Sequence, residues 1–375
     1  MTSVSSSTSR QGHLEALFQR NSDLPREVIV KEDILCEGLA ATPGLAVDLP
    51  RSVLVEGGPY SLRRTIVRRD RLDSSPYLID QEDGHLVLRD RGSRDILASL
   101  RGYPLTPSYA RRTFPDGRLY AAVLDVYGKA VIADSAAPSP EQVGAVAAEA
   151  FIHEIWPSGE GPLHVHLDRG SLSDTVDGVP EEEFALRYVS AIKESCANRR
   201  PILLEMAPKS SQVERRLYAE GVNGRLDNID VWDAGRFRAL CPEKTAALGH
   251  DEWVRRTLDQ VYIYGHISVL PGLVAGLELA QPGGFATVAE AVASTTQGIQ
   301  FLIAHGAIPC PIHWPLDPRG QQRQPPVDYF LQVDRNWYLT WQRYQAFEPS
   351  GHLMGPGRNR FPHSAAFDVG RGSPL

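Results

Sequence analysis

Pro162-Leu163-His164-Val165-His166-Leu167-Asp168-Arg169-Gly170-Ser171 is the stretch on which the fold turns. An apolar run carrying histidines at alternate positions stops at a polar, glycine-containing turn, the pattern of a strand that ends in a site. Alternate residues of a strand point the same way, so His164, His166 and Asp168 share one face. The texture recurs on both sides of this segment. Leu119-Tyr120-Ala121-Ala122-Val123-Leu124 lies upstream; Pro201-Ile202-Leu203-Leu204-Glu205-Met206, Leu226-Asp227-Asn228-Ile229-Asp230-Val231, Ile267-Ser268-Val269-Leu270 and Ala307-Ile308-Pro309 lie downstream. Helical patterns fill the intervals. Ser139-Pro140-Glu141-Gln142 opens one as a capping box with proline in the first turn. Val143, Val146, Ala147, Ala150 and Phe151 follow at helical spacing. Thr287-Val288-Ala289-Glu290 caps another that runs to His305. Six strand–helix units predict an α/β fold, a partial (β/α)6 TIM-like barrel.

Working outward, residues 1–27 are polar and read as a disordered tail. Residues 28–115 predict a small β-rich N-terminal extension. Its short β-like runs are Glu27-Val28-Ile29-Val30, Ser52-Val53-Leu54-Val55, Thr65-Ile66-Val67 and His85-Leu86-Val87-Leu88, with turns at Gly57-Gly58 and Asp83-Gly84. The barrel is expected over 116–315. A helical C-terminal segment follows over 316–350; its stripe of Tyr329, Phe330, Trp337, Tyr338, Trp341 and Tyr344 is expected to pack against the barrel. Residues 351–375 read as a second disordered tail. The pairs Arg63-Arg64 and Arg68-Arg69 fit a solvated strand face or an anionic partner.

A chain of 375 residues with 42% hydrophobic and 23% charged residues suits a globular protein with a large core. A net charge of −7 argues against nucleic acid or an anionic membrane as partner. No apolar run reaches the ~20 residues of a membrane span, and the first residues lack the apolar core of a signal peptide. A cytoplasmic location is expected. Cys36, Cys196, Cys241 and Cys310 are scattered and form no C-x2-C pair, so free thiols are expected.

Active groups of parallel β/α folds gather at the C-terminal ends of the strands. His166, Asp168, Gly170, Ser171, Glu205, Asn228 and Asp230 sit at such ends, as does the glycine segment Gly272-Leu273-Val274-Ala275-Gly276-Leu277-Glu278. Glu205 closes an otherwise apolar run, so its carboxylate should be paired or functional. Asn228-Ile229-Asp230 continues through Asp233 to Cys241-Pro242-Glu243-Lys244. This order of segments, from roughly Tyr120 to Gly320, resembles the radical S-adenosylmethionine (SAM) superfamily, in its biotin-synthase-like branch. The Asn228-to-Lys244 run is similar to that branch's N-I-E-x-x-D … C-P-x-K, and Asp168-Arg169-Gly170-Ser171 to its Gly-Gly-Glu-type turn.

The resemblance implies a SAM pocket. Asp168, Gly170 and Ser171 would hold the amino group, Asn228, Gly272 and Gly276 would line the rest, and His166, Glu205 and Asp230 would be the catalytic groups. Glu278 stands one position early against the family's pattern. The family's cluster cysteines, C-x3-C-x2-C after the first strand, are missing: the stretch from Val123 to Asp134 contains no sulfur. Thiolates hold such clusters, so none is expected here. The resulting expectation is a radical-SAM-like protein that uses SAM in a polar group-transfer or lyase reaction on a small molecule. The alternatives are a non-catalytic partner of an active enzyme, as a protein partner or homo-oligomer, and a metal hydrolase built on the His164/His166 pair. In the last, H-x-H resembles an amidohydrolase ligand pair that would need further ligands from His250, His266, His305 or His313.

Overall fold

The computed structural model describes residues 9–45, 52–103, 108–125, 128–133, 136–152, 164–170, 175–197, 201–314, 325–344 and 362–369. The chain forms two compact units. One comprises Met1–Tyr103, Ile312–Leu339 and Gly355–Leu375, the other Pro104–Pro311 and Thr340–Met354. Among the described residues no helix is long and apolar enough to cross a membrane.

The first unit contains a six-stranded sheet in the order Ala40–Ala41, Tyr77–Glu82, His85–Asp90, Ile96–Tyr103, Ser52–Gly57, Leu62–Arg68. Its pairings are antiparallel except the first. Asp83 and Gly84 both have positive φ, 49° and 81°, as a two-residue hairpin turn of the mirror-image type requires. Three expectations are corrected in this unit. Residues 10–20 form a helix, Arg10–Arg20, capped by the Ser9 hydroxyl on Gly12 N–H at 3.2 Å; Leu14 and Leu17 are fully buried. The run Glu27–Val30 belongs to a helix, Arg26–Glu37, not a strand. That helix is buried on nearly every side, so it carries no amphipathic stripe for a periodicity reading to find. Its charges are matched by distant groups: Lys31 pairs with Asp368 at 2.9 Å, and Asp33 pairs with Arg10 and with the Tyr77 hydroxyl.

The third correction concerns the C-terminal part. Within Val327–Tyr344, Leu331 joins a core formed by both N-terminal helices and the antiparallel sheet. The Trp337 ring lies 4.7 Å from Phe367. The aromatic residues up to Leu339 therefore belong to this unit. Residues 362–369 are likewise ordered against it, with Ala365 to Asp368 buried, where a disordered tail was expected.

The second unit is the parallel β/α part. Lys129–Val131, Val165–Asp168, Ile202–Glu205 and Gly224–Leu226 pair in parallel and in chain order. Asn228–Asp230, Gly272–Ala275 and the first residues of Cys310–His313 form a second parallel set. A parallel bridge between Arg225 and Val269 joins the two, and Ile308 N–H continues the ladder to Val269 C=O at 2.9 Å. Gly224–Leu226 and Asn228–Asp230 are successive pieces of one strand position, so six positions with neighbours in sequence order remain, the arrangement of a partial TIM-like fold. Both capping boxes form: Ser139 and Gln142 exchange hydrogen bonds at the head of Pro140–Ile152, and Thr287 and Glu290 at the head of Val288–Ala304.

The first strand is displaced from its expected place. Tyr120–Val123 is a single helical turn with Leu119 half exposed, so the apolar run there was a false strand; the strand is Lys129–Val131. The sequence that follows, Ile132 to Ser139, also contains no cysteine. Tyr127 and Asp134 lie outside the described residues.

Register decides what each face carries. Lys129 pairs with His166, and Val131 with Asp168 and then Glu205, so these side chains share one face. The opposite face carries Ala130, Val165, Leu167, Ile202 and Leu204, all buried. Arg225 also lies on that side. It is fully buried, bonded to Glu214 at 2.9 Å and facing Asp227 at 3.3 Å, while Gln260 and the Tyr264 hydroxyl complete the Glu214 carboxylate. Burial and the Glu214 charge push the Asp227 carboxyl up to about 7, against the pull of Arg225.

Candidate functional site at the strand ends

Three successive strands deliver ionisable side chains to one face. Glu205 is the hub. Its Oε2 lies 2.8 Å from His166 Nε2 and 3.6 Å from Lys129 Nζ, and its Oε1 accepts from Asn228 Nδ2 at 2.8 Å. Lys129 Nζ reaches Asp168 Oδ2 at 2.5 Å. Burial alone would raise the Glu205 carboxyl, but His166, Lys129 and Asn228 together hold it down to about 2. Lys129 is pushed the opposite way: burial would lower it, and the charges of Glu205 and Asp168 raise it above the usual lysine value. Glu205 is therefore a fixed anion and a poor proton acceptor. His166 presents Nε2 to Glu205, which leaves Nδ1 as the other ring nitrogen.

Next to this hub, Asp230 sits at a register irregularity with φ of 67°, in the left-handed region that Asp tolerates better than most residues. Local sequence explains how it is held. Asp233 caps the helix Ala234–Leu240 through a 2.8 Å bond to Arg236 N–H, and Pro242 opens the next helix, Pro242–Ala247. Lys244 on that second helix is thereby directed back at the strand end. Its Nζ reaches Asp230 Oδ2 and the Asn228 carbonyl, both at 2.5 Å, and lies 5.0 Å from the Trp253 ring centroid. Burial raises the Asp230 carboxyl, with Lys244 opposing. Cys241, between the two helices, points its sulfur at Asp230 from 3.9 Å; burial and then Asp230 push the thiol up to about 11, so it is not a ready nucleophile.

The remaining expected residues fall as follows. Gly170 has φ of 57° in the turn after Asp168, and a Cβ there would stand 3.1 Å from Asp168 Oδ1. Ser171 lies outside the described residues. Gly272 pairs with Asn228 across the ladder, and Gly276, φ 99°, starts a short 3-10 turn. Glu278 accepts from Gly276 N–H in its own turn and from the Thr295 hydroxyl on the helix Val288–Ala304. Trp232 packs on the helix Val288–Ala304, 5.2 Å from Phe301, where a Cβ on Gly298 would stand only 2.6 Å from the indole. Lys129 is the site group that no local pattern announced. Lys244 was quoted in the run after Asp230, but its return to the strand end depends on two helix starts.

For a metal the arrangement is less apt. His164 is half-buried; desolvation, then His166, pushes its imidazole down to about 3, and the two rings are 6.4 Å apart. Among the described residues no group of three or more His, Cys, Asp or Glu side chains is placed to hold a metal ion. His250 packs against Phe237 and Trp232, and His305 bonds the Phe301 carbonyl.

Fold and site together define a parallel β/α protein with a mixed-charge cluster at the strand ends. No family model matches the chain, and no curated protein matches it. Among solved structures it is similar to a methylornithine synthase, at 14% identity and TM-score 0.33, over 48% of this chain and 50% of that one. It is also similar to a radical SAM methyltransferase from Sphaerobacter thermophilus, at 14% identity and TM-score 0.38, over 72% of this chain and 76% of that one. The chain thus spans about half the length of the synthase it matches. The fold itself is fixed by the strand order and register given above.

Proposed function

We propose that the strand-end face binds SAM, or a closely similar sulfonium nucleoside, and that the protein uses it in a polar group-transfer or lyase reaction on a small molecule. The observation that carries this is the convergence of Asp168, Glu205 and Asp230 with the His166 imidazole, at the positions where the sequence resemblance implies the SAM pocket. The donor set suits such a ligand. Three carboxylates favour positive charge, and the buried Asn228 Oδ1 has no donor of its own.

An iron–sulfur cluster fits the chain poorly. The sequence after the first strand contains none of the three cysteines, and the chain's four lie at Cys36, Cys196, Cys241 and Cys310. When bound, SAM supplies an electrophilic carbon on a positively charged sulfur. The chain's own part is then positioning and proton transfer. Glu205 would orient the imidazole so that His166 Nδ1 could take the proton of the attacking group, Asn228 and Lys244 hold the strand end, and Asp230 would supply negative charge to a bound cation.

Thermal denaturation tests the binding step. SAM at a hundredfold excess over its Kd should stabilise the protein by about 2.7 kcal/mol; no rise in Tm removes the reading. His166→Asn should keep the SAM-dependent rise and lose turnover.

A further inference from the structure

Asp168 and Glu205 come from neighbouring strands, in register with each other, and between them sits a primary ammonium that belongs to the protein. We infer that Lys129 is a built-in surrogate for a ligand's ammonium group, and that it sets specificity because an amine-bearing ligand reaches the Asp168–Glu205 pair only by displacing it. For the identity of the ligand this rests on the SAM reading; the ammonium cradle itself does not.

Three observations support displacement over a fixed strut. Lys129 ends a stem of four methylenes with three rotatable donors, a group that moves without backbone change. Its side chain is 35% exposed, unlike the fully buried Lys31 and Arg225, so it has a path outward. Glu205 keeps His166 and Asn228 when Lys129 leaves, so the hub is not dismantled by the exchange. The group that fits the vacated place has the chemistry of the departing one: a primary alkylammonium, such as the α-ammonium of SAM or S-adenosylhomocysteine. An arginine there would make a forked, less displaceable pair.

The test has two arms. Lys129→Ala is titrated with propylammonium chloride, which returns the three methylenes and the ammonium that the substitution removes. Tetramethylammonium chloride at equal ionic strength is the control. The expected result is a Tm lowered in Lys129→Ala and restored by propylammonium alone. A variant as stable as the wild type, or one that responds equally to both salts, overturns the inference.

In the second arm Lys129→Met, which keeps the stem's bulk, is titrated calorimetrically with S-adenosylhomocysteine and with 5′-methylthioadenosine, which lacks the amino-acid part. Removing the competitor should tighten S-adenosylhomocysteine binding about tenfold, the worth of one charge-assisted hydrogen bond, and leave 5′-methylthioadenosine unchanged. An S-adenosylhomocysteine affinity that is unchanged or weaker makes Lys129 a structural counter-ion and overturns its role in specificity. If neither nucleoside binds any form of the protein, the SAM reading fails, while the propylammonium arm still decides whether the cradle exists.

Discussion

Replacing Glu205 by glutamine removes the charge that holds the strand-end cluster together and keeps the side chain's size. In the folded protein the carboxyl is held at about 2, against an ordinary 4.5. Because the folded value is the lower one, the stabilisation is fully present above pH 4.5 and is lost as pH falls through about 2. At ~1.4 kcal/mol per pH unit, the gap corresponds to about 3 kcal/mol. Glu205 is only 14% exposed, so solvent screening leaves most of that in place. The assay is chemical denaturation of wild type and Glu205→Gln at a series of pH values from neutral to strongly acid. The other carboxylates are common to both proteins, so the difference between the two curves reports Glu205 together with the neighbours its charge shifts, Lys129 and Asp230. That difference should be about 3 kcal/mol larger at neutral pH than near pH 2, with the change falling between 4.5 and 2. A difference that stays flat across this range would refute the pairing of Glu205 with His166 and Lys129.

Two further outcomes follow from burial. Arg225→Ala leaves Glu214 and Asp227 buried without their cation, and should cost about 3–5 kcal/mol in denaturant-measured stability; a loss below ~1 kcal/mol would show that the network is not closed in solution. Cys241, with its thiol pushed up to about 11, should react with iodoacetamide about a hundredfold more slowly than a free thiol at mildly alkaline pH. Asp230→Asn should speed that reaction, as site-resolved mass spectrometry can read.

Much of the parallel unit was legible because its signals are local. The runs ending at Asp168, Glu205 and Asp230 are strands, and Ser139/Gln142 and Thr287/Glu290 cap helices, since each depends on residues within a few positions of one another. What failed depends on distance along the chain. Val28-Ile29-Val30 looks like a strand only until Lys31 and Asp33 find Asp368, Arg10 and Tyr77 far away in sequence. The run Leu119–Leu124 has the apolar content of a strand, but Leu119 stays exposed and the pairing partner of His166 turns out to be Lys129. That one shift places an ammonium in the site that no spacing rule suggested. The reach of Lys244 to Asp230 required knowing that Asp233 and Pro242 each start a helix.

On the proposed reading the strand-end face is a SAM site that works without an iron–sulfur cluster. Isothermal titration of SAM into protein whose iron and sulfide have been quantified tests it most directly. Saturable binding of one SAM per chain is expected in protein that carries no stoichiometric iron or sulfide. Absence of saturable binding, or binding confined to protein loaded with about four irons per chain, would contradict it.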